Sequence, residues 1–189
     1  MNHLGTNLIR TKRLLLRPFT MEDVPYVYLN WASDTRVTRF LSWNAHQNIT
    51  TTREVVKQWM RNYENPAFYH WAITFLDFPK EPVGNIAVVY QNEQTNMLHI
   101  GCCIGSNWWH DGIAAEAFLG IIPYLIEEVG CNRIEARHDP RNVNSGKVLR
   151  KCGLTYEGTL RESDYNNQGI CDACIYALLA KDYESSRLM

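Results

Sequence analysis

No run in this 189-residue chain stays apolar over the roughly 20 residues that a membrane-spanning helix requires. The longest candidate, residues 114–126, is broken by Glu116 and Pro123. An excess of charge is lacking too. Nineteen Lys and Arg face 20 Asp and Glu, a net charge of −1, so no global field draws the chain onto nucleic acid or an acidic membrane. Residues 1–12 hold no apolar block followed by a small-residue cleavage site, so no secretory signal is expected. There is no Gly/Ser-rich linker, internal repeat or low-complexity stretch. The dinucleotide pattern G-x-G-x-x-G is absent, and no Gly-Lys-Ser/Thr run marks a P-loop. Of the six cysteines, Cys171-x-x-Cys174 sits in a strand pattern that sends the two thiols to opposite faces, and no second pair stands at zinc spacing. Adjacent Cys102 and Cys103 point apart for the same reason. No metal site is expected, and reduced, buried thiols fit a cytoplasmic protein.

What is present suffices for one folded unit. Hydrophobic residues make up 46% of the chain, enough for a full core, and the length fits a single domain over residues 1–189. Residues 14–18 read as a strand. Thr20 with Asp23 three places on forms a capping-box pattern for a helix running to about Trp31. Residues 34–40 read as a short helix, and Thr51 or Thr52 caps a third that carries Val55, Val56, Trp59 and Met60. Strands follow at 69–75, 83–90 and 97–104, with turns at 77–81 and 91–96. After a loop at 105–111, an apolar helix spans 112–129 and Gly130 closes it. Then come a strand at 132–138, a helix at 143–152 with Gly153 as its C-cap, a strand at 154–161 and, past the turn 166–169, a last strand at 170–179. Strand, helix and strand over 97–138 should make a parallel pair inside an otherwise antiparallel sheet. The fold class is α/β in the α+β sense: a mixed sheet flanked by helices.

Two segments carry chemistry. In the first, residues 104–117, a strand ends, a tight loop follows and a helix opens at Gly112-Ile113-Ala114. Free amides and the positive dipole end at a helix start attract phosphate, and small residues at Gly112, Ala114 and Ala115 allow close approach. Taken alone, Gly112 also reads as a turn former and the alanines as packing. In the second, residues 139–154, Asn142 or Asn144 caps a helix, yet Asn142 and Ser145, three apart, can face one ligand.

Together these segments resemble the GNAT acetyltransferase superfamily, in the branch that acetylates ribosomal-protein N-termini at alanine or serine. Thr11-Lys12-Arg13-Leu14-Leu15-Leu16-Arg17-Pro18, Trp108-Trp109, Glu116-Ala117 and Tyr156-Glu157-Gly158-Thr159-Leu160-Arg161 extend the likeness over most of the chain. The resemblance implies acetyl-CoA lying between two splayed parallel strands. The pyrophosphate would then sit on Trp109, His110, Asp111, Gly112, Ile113 and Ala114, with Asn142 and Ser145 nearby. The backbone of residues 99–104, including Cys103 and Ile104, would hold the pantetheine arm. The chain departs from the pattern at His110-Asp111, where the family often has Gly-Lys. A carboxylate beside a pyrophosphate is expected to weaken cofactor binding.

The resemblance also implies sequential transfer of acetyl to a primary amine with no covalent enzyme intermediate. Asp164 would be the base, and Ser145 would protonate the thiolate. Their bland readings are a turn residue for Asp164 and a first-turn hydroxyl bonded to backbone for Ser145. A free α-amine has a pKa of about 7.7–8.0 and Lys about 10.4, so one carboxylate is an adequate base for an α-amine. A ribosomal-protein N-terminus is therefore the expected acceptor. Residues 34–65 and the last hairpin would build its pocket, with Trp43 in the covering region. Glu116 and Glu157 read as structural, and His99 and His138 as candidates to line the cleft. A polyamine or aminoglycoside acceptor, or a non-catalytic acyl-CoA-binding regulator, is the alternative. The resemblance admits a homodimer and implies no nucleic-acid or membrane partner.

Overall fold

The structure, a computed structural model, describes residues 1–187. Eight strands form one sheet: β1 (Ile9–Arg10), β2 (Leu14–Arg17), β3 (His70–Phe75), β4 (Pro82–Asn92), β5 (Met97–Ile104), β6 (Arg133–His138), β7 (Thr155–Asn166) and β8 (Gly169–Leu179). Their order is β1-β2-β3-β4-β5-β6-β8-β7, and every neighbour is antiparallel except β5 and β6. The helices are α1 (Val24–Val27), α2 (Thr35–Thr38), α3 (Ile49–Asn62), α4 (Ile113–Pro123), α5 (Val143–Lys151) and α6 (Ala180–Arg187).

Strand alternation gives the sheet two apolar faces. On one, Leu14, Leu16, Tyr69, Trp71, Ile73, Leu98 and Ile100 pack with Phe118, Ile121 and Leu125 of the α4 side. On the other, a smaller cluster joins Phe19, Val24, Val27, Trp31 and Val56 to Ala72 of β3. Cys102 packs with the first cluster and Cys103 with the second, so the two thiols do point apart.

Several boundaries differ from the sequence reading, each for a local reason. The Thr20 helix forms, with Thr20 N–H donating to Asp23 Oδ2 at 2.7 Å. Its path changes from a 3-10 turn (Met21–Asp23) through α1 to a π turn (Tyr28–Ala32). Asn48, not Thr51 or Thr52, caps α3: its extended backbone lets Oδ1 accept the Thr51 N–H at 3.0 Å. Pro123 lacks an N–H to continue the α ladder, and the chain goes on as a π turn (Tyr124–Glu128). Strand β7 does not stop at Arg161. It absorbs an irregularity between Leu160 and Asp164, where Glu162 takes φ +49°, and continues to Asn166. Two-residue β1 and polar α6 carry no periodicity and were not foreseen.

Candidate active site

Strands β5 and β6 pair over only three rungs: Met97 with Arg133, Leu98 with Ile134, and His99 with Glu135. Beyond His99, β5 stays bonded to β4 as far as Ile104, and β6 stays bonded to β8 as far as His138. Their facing edges therefore part and form a wedge. A register shift in β4 between Val88 and Tyr90 falls opposite Ile100 and His99, at the point of separation. Such a bulge bends its strand and adds twist, which turns β4–β5 away from β6–β8.

At the wide end of β5 the chain turns through Ser106–Trp108. The Trp109 indole N–H donates back to the Ile104 carbonyl at 2.8 Å, fastening the loop to the strand end. His110 and Gly112 both take left-handed backbone, with φ +69° and +76°. The first helical bond runs from Glu116 N–H to the Gly112 carbonyl at 3.0 Å, so the Ile113, Ala114 and Ala115 amides precede the α4 ladder. A Cβ on Gly112 would meet only Arg13 Nη2 at 3.9 Å and Lys151 Nζ at 4.0 Å. The glycine thus keeps open a space between two cations. Arg13 reaches the backbone carbonyl of Asp111, the residue whose carboxylate is expected to disfavour an anionic ligand.

Glu116 holds this loop in place. Its carboxylate accepts from Thr11 Oγ1 at 2.6 Å, Arg13 N–H at 2.8 Å and Arg13 Nε at 2.7 Å. Arg13 Nη2 in turn donates to the Asp111 carbonyl at 3.0 Å. Glu116→Ala is expected to release the loop and raise the dissociation constant for acetyl-CoA about tenfold, the loss of one charge-assisted contact. Isothermal titration alongside a melting curve checks it. An unchanged constant would show that the lock is not needed.

Across the wedge, Asn142 occupies the N-cap position of α5 but makes no side-chain cap bond. The half-buried Ser145 hydroxyl has no partner among the described residues, so neither side chain is engaged as its bland reading requires. Gly146 is buried because the His138 ring lies on it: a Cβ there would stand 2.6 Å from His138 Nε2. The ring also rests on Tyr176, with centroids 5.5 Å apart, so His138 is half-buried packing at the end of β6.

The opposite face of the wedge carries the titratable groups. His99 is 8% exposed, and its Nδ1 lies 3.5 Å from Glu135 Oε1. Asp164 Oδ2 pairs with Arg137 Nε at 3.0 Å, and its Oδ1 accepts the Tyr165 N–H at 2.8 Å. Glu135 is shared with Arg133, which also binds Glu157, a structural pairing. The turn of the β7–β8 hairpin is tied down over α2 and the loop after it. Asn167 donates its backbone N–H to Leu41 and its side-chain amide to Thr38 and Trp43, all at carbonyls. The hairpin and the 34–65 region thus meet, as the sequence reading expected. Beneath them His70 is enclosed by Phe19, Trp59 and Phe68, and burial pushes its pKa down to about 3. Desolvation raises the Cys102 thiol to about 12 and lifts Cys103 further, so neither supplies a thiolate nucleophile near neutral pH. Among the described residues no cluster of three or more His, Cys, Asp or Glu could hold a metal. No helix there is long and apolar enough to cross a membrane.

The arrangement fits an acyl-CoA. An extended amide chain can pair with the parted strand edges, and a diphosphate fits the amide cradle between Arg13 and Lys151. A mixed sheet opened between parallel strands, with an anion cradle at its wide end, is the architecture of an acyl-CoA-dependent transferase. The chain belongs to the GNAT acetyltransferase family: the family's domain profile matches residues 13–155, well over half of its length. It is an acetyltransferase.

Among curated proteins it is 26% identical over 173 residues to one of Bacillus licheniformis named uncharacterized N-acetyltransferase p20. That match covers 92% of this chain and 96% of the relative. A GNAT-family acetyltransferase from Bacillus anthracis superposes with a TM-score of 0.80 at 23% identity, covering 93% of this chain and 99% of the other. RimL, a ribosomal L7/L12 alpha-N-protein acetyltransferase solved with coenzyme A, superposes with a TM-score of 0.81 at 18% identity and the same coverages. At these identities the structural likeness is one of fold.

Proposed function

We propose that this chain is a single-domain cytoplasmic N-acetyltransferase whose acceptor is the free α-amine of a protein N-terminus, a ribosomal protein among the candidates. The observation that carries this reading is the wedge itself, open toward α4 and α5 on one side. On its other side it is roofed by the hairpin tethered at Asn167. Donor and amine can then meet at the parted strands from opposite faces, and placing them in line supplies most of the acceleration. RimL, whose fold this chain shares, is an alpha-N-protein acetyltransferase, which supports a peptide terminus as acceptor. A Lys amine costs about 4–5 kcal/mol to deprotonate near neutral pH, an α-amine far less, and the proton acceptors on this face are carboxylates and a histidine.

In this reading the backbone of Cys103 and Ile104 holds the pantetheine arm, and Trp109, His110, Asp111, Gly112, Ile113, Ala114 and Asn142 surround the phosphates. Ser145, its hydroxyl uncommitted, gives a proton to the departing thiolate. Asp164 draws in the acceptor's ammonium and takes its first proton. Transfer in this reading is direct from thioester to amine, with no covalent enzyme intermediate.

The test is free-thiol release from acetyl-CoA with peptides, polyamines and aminoglycosides. Turnover is expected with peptides bearing a free N-terminus and lost when that terminus is blocked. Binding of acetyl-CoA without turnover across the panel would defeat the reading. Asp164→Asn is expected to lower kcat by about 10²-fold with little change in acetyl-CoA affinity. An unchanged kcat would remove Asp164 from proton transfer.

A further inference from the structure

Two protons leave the acceptor nitrogen when an ammonium becomes an amide, and Asp164 is engaged by Arg137 toward the solvent side. A second acceptor therefore has to stand nearer the carbon that is attacked. His99 occupies the last rung before β5 and β6 part. Alternation along β5 places it on the face of Cys103, the proposed acceptor side, immediately before the first freed position at Ile100. Its Nδ1 faces Glu135, while its other ring nitrogen has no partner among the described residues. The side chain is nearly enclosed, about a tenth of it reaching the surface, at the point where the two strands separate.

We propose that His99 is a catalytic residue, taking the proton released when the amine nitrogen bonds to the thioester carbon, with Glu135 as the positioning carboxylate that steadies the resulting imidazolium. The balance closes within the established reaction. The nitrogen lone pair forms the C–N bond, and one N–H proton passes to His99. The C–S bond then breaks, and the sulfur leaves with its electron pair and takes the Ser145 hydroxyl proton, which solvent replaces. The imidazolium returns its proton to solvent. Nδ1–H toward Glu135 leaves Nε2 as the lone-pair nitrogen, the tautomer this role needs.

The groups facing His99 set its titration. Burial and the Arg137 charge hold its pKa below the usual histidine value, while Glu135 and Asp164 oppose them. Arg133 acts on it through Glu135, and Tyr90 faces it across β4. His99 is thus neutral, and able to accept a proton, down to lower pH than a free histidine. Activity should fall on the acid side as it protonates.

The proposal rests on the acetyltransferase reading, and its experiment keeps the two apart. Wild type is first shown to turn over an N-terminal peptide. No turnover with any amine would defeat that reading, and with it this proposal. Given turnover, His99→Gln is expected to lower kcat by about 10²-fold or more, with acetyl-CoA affinity unchanged. Should that variant fail to fold, the charge variants decide. Glu135→Gln removes a negative neighbour, so the acid limb of kcat should move to lower pH. Arg137→Met removes a positive one, so the limb should move to higher pH. The acceptor amine's own ionisation is common to all variants and cancels. Opposite shifts support His99 as the proton acceptor. Wild-type kcat in His99→Gln, or a limb that stays fixed in both charge variants, overturns it.

Discussion

Val at position 112 is expected to weaken acetyl-CoA binding about 100-fold while leaving a folded protein. Left-handed backbone costs an L-residue about 1–2 kcal/mol, and a β-branched side chain stands at the high end. In the free enzyme the exposed loop relaxes to escape that cost, so binding must restore the strained geometry. The two methyl groups also enter the space between Arg13 and Lys151 where we propose the cofactor's phosphates sit. Each factor of ten is worth about 1.4 kcal/mol, so strain and obstruction together reach two decades. Gly130→Ala is the control: φ is +77°, nothing lies within 4 Å of its would-be Cβ, and it stands at the far end of the helical segment. It should cost stability without touching affinity. Titration of both variants decides the matter. Wild-type affinity in Gly112→Val would remove the loop from phosphate binding.

The largest expected loss of stability comes from Asp23→Ala. Asp23 is 1% exposed and receives both ends of the Arg17 guanidinium, at 2.7 and 2.8 Å, besides the Thr20 amide. Truncating it strands a guanidinium of which little reaches water and opens the helix start that carries α1. Breaking one partner of a buried pair typically costs about 3–5 kcal/mol. Urea unfolding should show a loss of that size. A loss under about 1 kcal/mol would mean that solvent reaches Arg17 in the variant and satisfies it.

The sequence exposes some of this and hides the rest for physical reasons. Strand alternation in 97–104 and 170–179, and the glycine after Lys151-Cys152, are local signals, and the structure keeps them. The loop from Trp109 to Ala114 is legible because a left-handed glycine before a run of small helix residues is a local pattern. The Arg13–Glu116 lock is not legible: it joins residues 103 apart, and an acidic residue in a first helical turn already has a sufficient local explanation. Arg137 is hidden in the same way. Nothing in one sequence shows that Asp164 meets it, because an irregularity around Glu162 decides where Asp164 falls along β7. The His99 position depends on where two strands part, and a bulge in a third strand fixes that point. The ties from Asn167 to Thr38 and Trp43 depend on β8 lying between β6 and β7, an order no local pattern contains.

The two apolar clusters on opposite sides of the sheet have a bearing on how such a protein can diversify. The larger one packs under α4 and the loop before it, where we propose the nucleotide end sits. The smaller one, around Trp31 and Val56, underlies the part we propose for the incoming nucleophile. Since they lie on opposite sides of the sheet, changes in the smaller layer can be made with the packing of the larger one kept. The donor end and the acceptor end of the proposed site can therefore be altered one at a time.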